Sequence, residues 1–235
     1  MAVTNTLQKK TEEKAVTEFE SNGEKVKLSP SIIRKYLVSG GGNVTDEEVM
    51  MFLSLCKFQH LNPFLKEAYL IKFGNNPATI VTGKDVFMKR AKRNENYLGK
   101  QCGIIVLDND SGELSEREGT FYLPNETIVG GWAKVFIKGY AQPEYASVSF
   151  DEYAGRKKDG ELNNQWATKP ATMIRKVALV QALREAFPED YNGLYSPEEI
   201  NEASEIVFDD TPITEPIQTE ESKEDSQSVQ NALFN

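Results

Sequence analysis

The sequence has few of the side chains that carry covalent and metal chemistry. It holds one histidine, His60, and two cysteines, Cys56 and Cys102, far apart in the chain. A single histidine excludes a His-pair metal site, and two distant cysteines lack zinc-ligand spacing. Such sparse thiols fit a reduced, cytoplasmic setting. There is no G-x-x-x-x-G-K-[ST] run: Gly83-Lys84 is followed by Asp85 and lacks the upstream glycine. A nucleotide phosphate loop is therefore not expected, and G-x-G-x-x-G is missing too. No apolar run approaches the roughly 18 residues of a membrane span. The opening "MAVTNTLQKKTEEKAV" has no apolar stretch of the secretory-signal kind. His60, at a predicted helix end, reads as a cap or surface residue rather than a catalytic base. The residues predict no metal site and no cofactor.

Excess positive charge also looks absent at first, since the formal net charge is −9. Its distribution says otherwise. Residues 1–190 hold 26 Lys and Arg against 25 Asp and Glu, whereas residues 191–235 hold 1 against 11. The acidity belongs to the tail, so an anionic partner for the body stays open. Within the body, residues 62–100 carry eight bases and three acids, and residues 101–126 one base and six acids.

Three parts are expected: a flexible segment over 1–27, one domain over 28–203 and an acidic disordered tail over 204–235, whose composition cannot offset its ordering entropy by burial. In "SPSIIRKYLVSGGGN", Ser29 can cap a helix, Pro30 fits its first position, and Gly40 to Gly42 end it. Thr45 and Glu48 form a capping box before a second helix, which "HLNPF" breaks. "EAYLIKFG" and "PATIVTG" read as strands around an Asn75-Asn76-Pro77 turn, and "KDVFMKRAKRNEN" as a helix. "CGIIVLD" and "REGTFYLP" flank turn-rich residues and predict a hairpin. "IVGGWAKVFIKGY" and "EYASVSFDEY" read as further strands, residues 166–188 as a long helix, and "SPEEINEAS" as a short one. The fold class is α+β: five or six mostly antiparallel strands packed with helices.

Two segments pair positive charge with aromatic or apolar surface. On the strand "WAKVFIKG", Ala133, Val135 and Ile137 make a core face, while Trp132, Lys134, Phe136 and Lys138 share the other. Rings there can stack bases while lysines hold phosphates, or lysine stems can simply cover half-buried rings. The helix over 166–188 has no continuous polar face, yet carries Arg175, Lys176 and Arg184 with Glu185 as its one acid. Most of it must be covered, and covered cations need partners. Those partners are either acids from elsewhere in the fold or an external polyanion.

"WATKPATMIRKVALVQALREAFPEDYNGLYSPEE" resembles the closing segment of the RecT and lambda Red-beta (Bet) single-strand annealing proteins. The positions that match are Trp166, Lys169, Pro170, Met173, Arg175, Lys176, Ala178, Ala182, Arg184, Ala186 and Phe187. "QHLNPFLKEAYLI" agrees through Asn62, Pro63, Phe64, Lys66, Glu67 and Tyr69, and "VTGKDVFMKRA" through Gly83, Asp85, Phe87 and Lys89. The resemblance spans about 30–203, and "GGWAKVFIKGY" is closer to the RecT branch. It implies a non-enzymatic, ATP-independent protein that binds single-stranded DNA and anneals complementary strands in phage or prophage recombination and DNA repair. It further implies a cytoplasmic homo-oligomer, ring or helical filament, with the annealed duplex as intermediate. A phage exonuclease or a host single-strand binding protein is the kind of partner implied, and no membrane. The phosphate-binding residues expected are Lys84, Lys89, Arg90, Lys100, Lys134, Lys138, Arg156, Lys157, Lys169, Arg175, Lys176 and Arg184. Trp132, Phe136, Tyr140 and Trp166 would stack bases or wall the groove. Two other classes stay open at this point: a metal-dependent nuclease using carboxylates among Glu67, Asp85 and Glu144, and a protein-interaction adaptor in DNA repair.

Overall fold

The computed structural model describes residues 16–200. Its first element corrects the expectation of a flexible segment up to residue 27. β1 (Thr17–Ser21) and β2 (Glu24–Leu28) form an antiparallel hairpin. Its Asn22-Gly23 turn has positive φ at both residues, 56° and 83°, the chemistry that tight hairpins require. Val26 and Leu28 are buried between exposed Lys25 and Lys27. Two buried apolar residues among many charges make a weak signal in composition but a sufficient one in alternation. Residues 1–15 and the tail over 204–235 lie outside the described residues.

α1 (Pro30–Ile32) begins as predicted, with the Ser29 hydroxyl accepting from Ile32 N–H and proline at the first helical position. It widens into a π-helical turn, Ile33–Leu37, and runs into β3 (Val38–Ser39). α2 (Asp46–Phe58) opens with the reciprocal Thr45 and Glu48 bonds of a capping box and buries Val49, Phe52, Leu53 and Cys56. His60 then turns left-handed at φ 51°, and the Asn62 side chain caps a single 3-10 turn, Pro63–Leu65. β4 (Ala68–Ile71) and β5 (Thr79–Thr82) pair antiparallel, with β3 added to β4 in parallel. α3 (Lys84–Arg93) follows.

The main sheet comes next, from β6 (Tyr97–Asp108), β7 (Leu114–Glu118), β8 (Glu126–Ile137) and β9 (Glu144–Ser149), all antiparallel in the order β7-β6-β8-β9. The hairpin is where predicted, but its second strand is "LSERE", not "REGTFYLP". The chain reverses earlier because the Asp108 carboxylate accepts from the N–H groups of Asp110 (2.8 Å) and Ser111 (3.0 Å), and Gly112 takes φ 72°. Phe121, Tyr122 and Leu123 are left exposed beyond the strand.

α4 (Phe150–Tyr153) and a polar loop lead to α5 (Asn164–Thr168) and α6 (Pro170–Ala186). The single helix expected over 166–188 is thus divided. Lys169, which precedes a proline, leaves helical geometry at φ −137°, ψ 48°, as pre-proline crowding favours. α6 lies over the inner face of the main sheet, and of its residues only Glu185 is exposed. Its first half packs with Ile104, Val106 and Trp166, its second half with Ala133, Val135 and Phe187. Close approach depends on Gly131, where a Cβ would lie 2.6 Å from the Ile174 carbonyl oxygen. The fold class is the expected mixture of helices with mostly antiparallel sheet.

Replacing Gly131 by alanine should push α6 off the sheet and lower stability by about 1–3 kcal/mol, the usual cost of overpacking, read by urea unfolding. An unchanged midpoint would mean that helix and sheet separate freely there. A second test concerns Glu48. Its carboxylate accepts from the buried Lys72 ammonium (2.6 Å), from Thr45 N–H (2.8 Å) and from Ala78 N–H (2.8 Å). These bonds, the Lys72 one foremost, lower it from 4.5 to about 2. A depressed carboxyl stabilises the fold above its unfolded value and loses that contribution as pH falls through the folded one. Stability should therefore fall between pH 4.5 and about 2, and Glu48→Gln should flatten that part of the profile.

Candidate nucleic-acid interface

α3 begins at Gly83, where a Cβ would meet the Lys66 carbonyl oxygen at 2.3 Å, so glycine lets the turn over 62–67 pack under the helix start. The helix buries Val86, Phe87 and Ala91 and turns its charged residues outward. Two recesses open on either side of it. One, of about 220 Å³, lies between α3, β6 and α6 and is lined by Lys84, Lys100, Arg175 and Lys176 around Met88 and Leu179, with Asp85 and Glu198 as its acids. The other, of about 320 Å³, lies between α3, the β1–β2 turn and the chain around His60; Lys89, Arg90 and Arg93 line it with Glu67 and Asp190.

The first recess is short of negative charge. Lys100 Nζ and Arg175 Nη1 converge on the Cys102 sulfur, at 3.4 and 3.5 Å. A thiol is a weak acceptor, and neither cation has a carboxylate partner among the described residues. Arg175 Nε is buried without any hydrogen bond. Lys176 has a partner, Glu198, at 2.7 Å. An anion with several oxygens would supply acceptors that this recess lacks.

The second recess is internally satisfied. The Arg90 guanidinium donates to the Gln59 carbonyl (2.5 Å), the Gln59 side chain (2.9 Å) and the Asp190 carbonyl (2.6 Å). Lys89 pairs with Glu67 at 2.9 Å, and Glu67, itself buried, also accepts from Asn22 and from Asn62 N–H. Arg93 donates to the Asn22 side chain. These groups tie the N-terminal hairpin to α3. His60 belongs here as well, its Nδ1 at 2.8 Å from the Glu20 carbonyl.

The outer face of the main sheet carries the aromatic and basic alternation. Ala133, Val135 and Ile137 are buried as expected. Lys134 lies over the Trp132 ring at 4.9 Å and the Tyr145 ring at 5.5 Å, and 3.6 Å from Glu116. Phe136 is half-buried, Lys138 and Tyr140 are exposed. The two tryptophans need correction as stacking residues. Trp132 is only 5 % exposed and Trp166 is fully buried, edge-on to Phe150 at 5.5 Å. Trp166 is a core residue between α6 and the sheet, and neither ring offers a free face. Arg156 pairs with Asp151 of α4 at 3.1 Å and Lys157 with Glu161 of its own loop at 3.5 Å, and Lys169 is exposed at the α5–α6 junction.

Arg184 also departs from the expected role. It makes two bonds of 2.9 Å to the Glu199 carboxylate and one of 3.0 Å to the Leu194 carbonyl, and it stacks on Tyr195. The partners of Lys176 and Arg184 are thus neighbouring acids of one 3-10 turn, Pro197–Glu199, which sequence reading did not select. Their signal was present in "SPEE", next to the helix but outside it. The carboxylates considered for a nuclease sit on separate elements, Glu67 before β4, Asp85 on α3 and Glu144 on β9. Among the described residues no three His, Cys, Asp or Glu side chains are placed to share a metal ion.

The sequence model of the RecT family matches residues 25–213. The chain belongs to the RecT family. It is also 34 % identical over 137 residues to uncharacterized protein UU154 of Ureaplasma parvum serovar 3, an alignment covering 58 % of this chain. The chain spans about half the length of that relative, 52 %. Among the described residues of this RecT-family chain, no helix is long and apolar enough to cross a membrane.

Arg184→Ala should act on the fold of the RecT domain. It would leave Glu199, whose side chain is 4 % exposed, without its cation. Removing one partner of a buried pair costs about 3 kcal/mol, which thermal melting would register. A variant with wild-type melting would return Arg184 to the list of ligand-binding residues.

Proposed function

We propose that this RecT-family chain binds single-stranded DNA through the recess between α3, β6 and α6, and anneals complementary strands without ATP. The observation that carries this reading is the convergence of Lys84, Lys100, Arg175 and Lys176 on a recess with only two acids. Two of those cations, Lys100 and Arg175, rest on a sulfur atom rather than a carboxylate. Phosphate oxygens answer that need. Contacts to phosphate carry no sequence information, so a strand held by its backbone keeps its base edges free to test a second strand. Lys138 and Lys169 are further exposed cations for the backbone, and Phe136 and Tyr145 offer ring surface on the outer face of the sheet, away from the recess.

Annealing over many nucleotides calls for many subunits. The exposed apolar residues at 121–123, beside the edge strand β7, together with Leu98 and Tyr140, support self-association. Subunits joined head to tail would continue the groove, as a ring if the rotation closes and a filament if it does not. In phage or prophage recombination, strands exposed by an exonuclease or coated by a host single-strand binding protein are the substrates this activity would meet.

The test is fluorescence anisotropy of a labelled oligodeoxythymidylate over a range of salt. Log affinity should fall linearly with log salt, by about 0.7 for each phosphate contact. Arg175→Gln and Lys100→Gln should each weaken binding and reduce the slope by about 0.7, with melting unchanged. A salt-insensitive complex would sink the phosphate contacts. Shortening of the strand in magnesium, without faster duplex formation, would replace annealing by nuclease activity.

A further inference from the structure

We infer that Glu198 is an internal stand-in for a nucleic-acid phosphate, occupying the recess beside Lys176 until a strand displaces it. The inference rests on the DNA-binding reading above and adds a regulatory contact to it. Glu198 and Glu199 are adjacent in one short turn but are held very differently. Glu199 accepts from Arg184 Nη1 and Nη2 (2.9 Å each), from Gln181 Nε2 (3.1 Å) and from Ser196 N–H (2.8 Å). Glu198 makes one contact, to Lys176 Nζ at 2.7 Å. It is 7 % exposed, yet its second oxygen, Oε2, is buried with no hydrogen bond.

A buried carboxylate oxygen with no donor is costly. The position is explained if Glu198 is a resident that leaves. Glu199 anchors the turn on α6, and the anchored turn presents Glu198 to the more cationic of the two recesses beside α3. Glu198 reaches Lys176 alone. A phosphodiester carries the same charge on two free oxygens, and it can approach Lys176 together with Lys100 or Arg175. Exchange would return a half-satisfied carboxylate to water and give the recess a fuller partner. The resting affinity for a strand is therefore set below what the cations alone would give. A weaker grip lets strands exchange while they search for pairing.

The experiment compares wild type, E198Q and E185Q as full chains binding labelled oligodeoxythymidylate at several salt concentrations, with melting curves for each. Glu185 is an exposed acid on α6, so E185Q removes equal charge without touching the recess. E198Q should bind at least about fivefold tighter than E185Q, the low end of common couplings between competing ligands. It should also steepen the salt slope by about 0.7, the effect of one more phosphate contact. Equal binding by E198Q and E185Q would overturn the stand-in and leave the DNA-binding reading intact. Weaker binding by E198Q would overturn it too, since Glu198 would then be orienting Lys176 for the strand. Should E198Q fail to fold, E198D shortens the side chain by one methylene at constant charge, and the same rise is expected. If neither wild type nor variant binds in a salt-dependent way, the DNA-binding reading itself falls, and this inference with it.

Discussion

The fold depends on burying α6 on nearly every side although three of its residues are cations. The sheet face of Ala133 and Val135 and the glycine at 131 bring the helix close enough for its backbone to touch the strand. Such an approach leaves no free stripe on the helix, so each cation must be resolved individually. Arg184 is resolved inside the fold by Glu199. Lys176 is half-resolved by Glu198. Arg175 is left on the Cys102 sulfur with Nε unpartnered. That gradient along one helix runs from a cation with a bidentate carboxylate to one with none, and exposure does not reveal it, because all three residues are similarly half-buried.

The same criterion divides the two flanks of α3. Lys89, Arg90 and Arg93 look as basic in sequence as Lys100, but they are spent on the hairpin and on the chain around Gln59 and Asp190. Arg90 in particular donates to two backbone carbonyls, and burial lowers its proton affinity. It holds elements together where no secondary-structure ladder does. A basic cluster thus contains two populations, and the number of acceptors each cation already owns tells them apart. This also explains how a body with nearly balanced charge can present a cationic recess. The acids are committed elsewhere, for instance Glu67 in the hairpin dock and Glu48 beneath Lys72.

Local signals were legible in the sequence. The capping box at Thr45 and Glu48, the Asn62-Pro63 break, the alternation of β8 and the absence of a polar face on α6 are each set by contacts within a few residues, and each is found in place. What was not legible depends on distant partners. The register of the β6–β7 hairpin turns on side-chain bonds of Asp108 that composition does not reveal. Trp166 is adjacent to Lys-Pro in the chain, like a groove residue, but α5 folds it against Phe150 and the sheet. The hairpin at 17–28 was hidden by its charges, since only two of its apolar residues, Val26 and Leu28, are buried.

The acids that neutralise α6 were the most consequential omission. They lie just beyond the helix, whereas the helix alone shows one acid and leaves both distant acids and an external polyanion open as partners, the resemblance favouring the polyanion. The structure divides that conclusion. An internal carboxylate and an external phosphate are not exclusive partners for one lysine when the internal one is poorly held. Glu199, with four donors, behaves as part of the protein. Glu198, with one donor and an orphaned oxygen, behaves as a ligand that happens to be covalently attached. Under the proposed DNA-binding reading, a recess that attracts a polyanion and releases it during annealing gains from such an occupant. It shields the cations from one another when no strand is bound, and it reduces the free energy by which any one phosphate is held.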